Sequence, residues 1–173
     1  MADISHIVHD SRLPQLQKVL DPRFMKKFFQ TGVAEEKLSG KPGIRKCEIV
    51  RMRYKPGKEC VVKYVLSLGR GVPREDVFVR VNNPRDAGKQ HVWWQDPGAG
   101  MVPEFSMHVW QFPYDPVLEH LPELTDPDPL RNLLFRLGLP ELAGMEMDTP
   151  VNVQVLKYEP LRQCALKVEV SRS

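Results

Sequence analysis

Arg53-Tyr54-Lys55-Pro56-Gly57-Lys58-Glu59-Cys60 returns as Lys157-Tyr158-Glu159-Pro160-Leu161-Arg162-Gln163-Cys164, 104 positions later (54 to 158). In that single register the Tyr, Pro and Cys are identical, as are Lys63 and Lys167. Met52 with Leu156 and Val62 with Leu166 stay apolar, while Arg53 with Lys157 and Lys58 with Arg162 stay basic. Around each copy β-branched, aromatic and apolar residues alternate, and the proline sets φ for a tight turn. Each copy is therefore read as a β-hairpin, with Gly57 free to take a positive φ in the first. Two strands alone leave an apolar face that helices or further strands must cover.

Before the first hairpin, Leu13, Leu16, Val19 and Leu20, then Phe24, Met25, Phe28 and Phe29, recur at helical spacing interrupted at Asp21-Pro22. The pattern predicts two short helices, the second capped by Asp21 and begun by Pro22, with Lys26 and Lys27 on its solvated face. After the hairpin, Asp76 to Val81 reads as a third strand, 82–103 as a loop rich in Asn, Pro, Gly and Asp, and Phe105 to Phe112 as another strand. Two more helices are expected, Asp115 to Leu124 and Asp126 to Leu137, capped by Asp115 and Asp126, begun by Pro116 and Pro127, and stopped at Gly138.

The expected fold class is α+β: a twisted antiparallel sheet from the two duplicated hairpins plus short strands, covered by four short helices. The corresponding division is a helical segment at 1–45, the first hairpin and a cap sheet at 46–112, a helical connection at 113–149 and the second hairpin at 150–173.

Composition limits the function. The 173 residues carry 25 basic and 22 acidic side chains, a net charge of +3, so nucleic acid is not an expected partner. The longest apolar runs are short and broken by Lys63, which argues against a membrane span. Cys47, Cys60 and Cys164 are odd in number and widely spaced, which fits a reducing cytoplasm. As individual residues Tyr54, Tyr158, Cys60 and Cys164 are read as packing groups.

The two hairpin phrases, with Trp110-Gln111-Phe112-Pro113-Tyr114-Asp115 between them, resemble the amino-terminal part of the aminoglycoside phosphotransferase and maltokinase-like kinases. The resemblance runs from about Cys47 to the end. It implies that the second hairpin opens a kinase-like amino lobe and that the first belongs to a cap, and it implies ATP and Mg2+ as cofactors. Phosphoryl transfer requires a phosphate-holding lysine on the third strand, a catalytic-loop aspartate and asparagine, and a metal-binding aspartate. No His-x-Asp followed by Asn at the catalytic-loop spacing occurs, and His6, His9, His91, His108 and His120 stand elsewhere. The third strand of the first copy carries Arg80 where such a lysine is expected, and arginine is not its equivalent.

The expectation is therefore an amino-terminal module, truncated before its catalytic lobe, of an ATP-dependent small-molecule phosphotransferase that is not catalytic alone. Its partner would be the missing carboxy-terminal lobe or another protein. The alternative is a non-catalytic module that uses the same hairpins to dock a partner protein. Arg80, Lys63, Lys58 and Lys167 are the candidate cofactor-binding residues, no catalytic or metal-binding residue is assigned, and solvated charges that protect sheet edges are the commoner explanation of strand lysines.

Three weaker constellations have plain alternatives. Gly98-Ala99-Gly100 suggests a phosphate loop but lacks a flanking strand and helix, and reads better as a flexible loop. His6, His9 and Asp10 are too few for a metal site. Trp93-Trp94 beside His91 could stack on a sugar or base, or anchor a loop on the sheet.

Overall fold

The computed structural model describes residues 9–31, 43–69, 71–84, 99–138 and 146–171. The chain divides into two units, Met1–Phe112 and Pro113–Ser173. It is α+β, as expected, with a five-stranded antiparallel sheet in one unit, a two-stranded sheet in the other, and short helices in both. The two hairpins lie in separate sheets instead of sharing one.

In the first unit α1 (Leu16–Val19) and α2 (Pro22–Thr31) precede β1 (Lys46–Lys55), β2 (Glu59–Ser67) and β3 (Glu75–Asn82), followed by β4 (Ala99–Val102) and β5 (Met107–Trp110). The sheet order is β1-β2-β3-β5-β4. Asp21 caps α2 as its sequence predicts, its Oδ1 accepting the Arg23 amide at 2.8 Å. Strand periodicity places Cys60, Val62, Tyr64 and Leu66 on one face, opposite Val81, Val79 and Val77 of β3. Leu13, Leu16, Val19, Met25 and Phe29 complete the core with this face, where the Tyr64 hydroxyl donates to the Val19 carbonyl and its ring meets Phe29 edge-on. The other face carries Val61, Phe78, His108 and Trp110, all buried, with Phe78 and Trp110 stacked at 5.7 Å.

Two expectations for this unit are corrected. The stretch read as loop ends in a strand, because Ala99–Val102 pairs along β5. The strand expected from Phe105 begins only at Met107, since Pro103–Phe105 form a 3-10 turn closed by Ser106 at φ 44°.

In the second unit α3 (Leu121–Thr125) and α4 (Pro127–Leu137) precede the hairpin of β6 (Val151–Glu159) and β7 (Gln163–Val170). Asp126 caps α4, and Gly138 ends it at φ 56°. The helix expected from Asp115 starts only at Leu121. Pro122 has no N–H to donate to Leu118, so a helix begun at Pro116 would lose a bond at its centre, whereas a proline in the first turn loses nothing.

Candidate functional site

In each unit one aspartate bridges the helical segment and the hairpin. In the first, Asp10 Oδ1 accepts the Arg12 amide at 2.8 Å, while Oδ2 accepts the Tyr54 hydroxyl at 2.8 Å and the Gly57 amide at 2.6 Å. In the second, Asp115 Oδ1 accepts the Val117 and Leu118 amides at 2.9 and 3.1 Å, and Oδ2 accepts the Tyr158 hydroxyl at 2.6 Å and the Leu161 amide at 2.7 Å. The carboxylate thus clasps the start of the helical segment to the hairpin turn. The Gly57 amide bond is the main reason that the Asp10 carboxyl is held below its ordinary value, whereas burial, aided by Asp10, pushes the Tyr54 phenol up.

The clasp shows the repeat to be longer than the hairpin. Asp10, Leu13, Leu16, Asp21 and Pro22 recur as Asp115, Leu118, Leu121, Asp126 and Pro127 at a constant separation of 105 (10 to 115). That second register was the signal by which Asp10 and Asp115 could have been found.

The turns match in geometry and differ in chemistry. Lys58 and Arg162 each donate their amide three residues back, to Lys55 and Glu159, at 3.1 Å. The third turn residue has positive φ in both, Gly57 at 66° and Leu161 at 62°. A Cβ on Gly57 would lie 2.9 Å from Cδ of Arg12, whose counterpart in the second copy is Val117.

The basic candidates of the first unit are engaged by carboxylates where they lie on the sheet. Glu59, 8% exposed, receives Lys55 Nζ at 2.7 Å on one oxygen and Arg80 Nε and Nη2 at 2.9 Å on the other. Burial alone would raise the Glu59 carboxyl, but the Lys55 bond and the Arg80 charge outweigh it and the group titrates low. His108 stands opposite Arg80 on β5, and burial together with that guanidinium keeps its imidazole below the usual value. Lys63 shares the Arg80 face and is taken by Asp76 at 2.6 Å, its ammonium 5.7 Å above the Phe78 ring. Lys58 sits exposed in the turn, and Lys167 belongs to the second unit, where it pairs with Glu169 at 2.6 Å.

The thiols are packing groups. Burial pushes Cys47 and Cys60 up to about 12, which removes the thiolate a nucleophile needs, and raises Cys164 as well. His9 bonds Gln17 at 2.7 Å, and among the described residues no cluster could hold a metal ion. His6, His91, Trp93, Trp94 and Gly98 lie outside the described residues, whereas Ala99 and Gly100 belong to β4. No helix among the described residues is long and apolar enough to cross a membrane.

No protein-family model, curated protein or solved structure matches this chain.

Proposed function

We propose that the chain is a non-catalytic, kinase-like interaction module. The observation that carries this reading is the state of Arg80. The third-strand cation that would have to receive a phosphate is bound through two nitrogens to Glu59, and a nucleotide would have to displace that largely buried pair before gaining anything. Lys63 is engaged by Asp76 through a single, more exposed ion pair, and the sequence carries no catalytic-loop signature. The second reading, a nucleotide-binding part of an ATP-dependent small-molecule phosphotransferase, draws its support from the place of Arg80 on the third strand of a sheet with kinase-like motifs.

Titration of the purified chain with Mg-ATP in a calorimeter separates the two. The interaction module gives no detectable heat. Micromolar binding that weakens in Arg80→Ala would show a working nucleotide cleft and overturn the reading.

A further inference from the structure

The first unit shows what a completed hairpin looks like. β2 lies between β1 and β3, and Tyr64 on it is fully buried. β7 is its counterpart, yet among the described residues it pairs with β6 alone, and Val168 at the Tyr64 position is 39% exposed. The outer strand β6 carries a bulge at Leu156, as the outer strand β1 does at Val50. Bulges keep exposed strand edges from pairing with other chains. β7 has no such interruption from Gln163 to Val170.

We propose that β7 pairs antiparallel with β7 of a second copy of this chain, about a two-fold axis at Val168, so that two hairpins form one four-stranded sheet. The pairing rests on the reading of the chain as an interaction module and names its partner. Lys167-Val168-Glu169 is its own antiparallel complement. In this register Lys167 stands opposite Glu169 of the partner subunit, Glu169 opposite Lys167 of the partner subunit, and Leu166 opposite Val170 of the partner subunit. Alternation along the strand puts both charge pairs on one face and extends the apolar row Leu166, Val168 and Val170 on the other. The contact is isologous, so each favourable pair occurs twice.

A strand like β3 is a poorer occupant of this edge. In the β2–β3 register Asp76 stands opposite Val65, whose counterpart in the second copy is Glu169, so two carboxylates would face each other. A strand pair alone buries less than a standard interface, and the dimer is therefore weak and dependent on concentration.

Sedimentation velocity on the full chain up to about 100 μM, in the weak-binding range, tests the pairing, together with amide exchange over 163–170. A monomer–dimer equilibrium is expected, with exchange in β7 slowed as the dimer fills. Lys167→Glu and Glu169→Lys each place like charges opposite one another at both symmetric sites, and each lowers association at least about tenfold. Both side chains are 54% exposed, so neither change disturbs the fold. Mixing the two variants restores opposite charges at both sites and restores the dimer. A monomer at every concentration overturns the proposal, as does a dimer that survives both reversals. A monomer that also binds no Mg-ATP would leave the interaction-module reading standing with a different partner, which keeps the two failures distinct.

Discussion

Tyr64 and Val168 hold the same position in the two hairpins, one fully buried and the other 39% exposed. Both copies keep the aspartate clasp, the tyrosine, the Pro-containing turn and the capped helix. They differ in what surrounds the hairpin. In the first unit β3, β5 and β4 extend the sheet and α1 and α2 seal its face; in the second, β6 and β7 form a sheet by themselves. The clasp and turn therefore define the repeating unit, and the burial of its strands depends on the neighbours each copy has.

The sharpest break in the comparison comes from the strand core. Tyr64→Ala should destabilise the first unit by about 3–5 kcal/mol, the range for emptying a large buried aromatic site, whereas Val168→Ala should cost less than about 1 kcal/mol. Amide exchange, read unit by unit, checks both. The next effect tests what the copies share. Asp10→Ala and Asp115→Ala each strand a tyrosine hydroxyl and backbone amides, at a cost of about 2 kcal/mol each, seen as faster exchange at Gly57 and Leu161. Similar losses would establish the clasp as the common element; a loss in one copy alone would break the equivalence.

The turns should respond in opposite directions. Leu161→Gly relieves a side chain held at φ 62° and should stabilise by about 1 kcal/mol, while Gly57→Ala should destabilise by at least about that much, because it adds a Cβ at φ 66° against Arg12. Chemical denaturation reads both.

The smallest effect is with pH. His108 is held below its ordinary 6.5, so the unfolded chain binds its proton first and the first unit loses stability as pH falls below about 6.5, until the folded imidazole also titrates. Asp10 and Glu59 have lowered values, so their contributions are complete above the unfolded carboxylate range and disappear as pH falls through the folded values. His108→Gln should flatten the upper part of this profile alone, as followed by thermal melting against pH.

Much of the fold was legible because its signals are local. Asp21-Pro22, Asp126-Pro127 and Gly138 mark helix ends through bonds within one turn, and the hairpin turns announce themselves by proline. The clasps were hidden because Asp10 and Asp115 act on residues 43–47 positions away, and nothing adjacent to Asp115 distinguishes it from an ordinary helix cap. β4 escaped notice because its four residues include Gly100 and lean on β5 for every strand bond. Of the candidate cations, Arg80 and Lys63 stand on different strands, and both their shared face and their carboxylate partners Glu59 and Asp76 depend on a register that the sequence of a single strand does not contain.

The clasps also bear on the order of events during synthesis. Every bond to Asp10 is satisfied once Gly57 has been made, and every bond to Asp115 once Leu161 has, so each copy closes on itself without borrowing from the other. Closure entropy grows only slowly with loop length, and domains emerging from a ribosome fold from the amino terminus. A nascent chain can therefore lock its first hairpin before its near-duplicate exists, which limits the time in which the two similar segments could exchange strands.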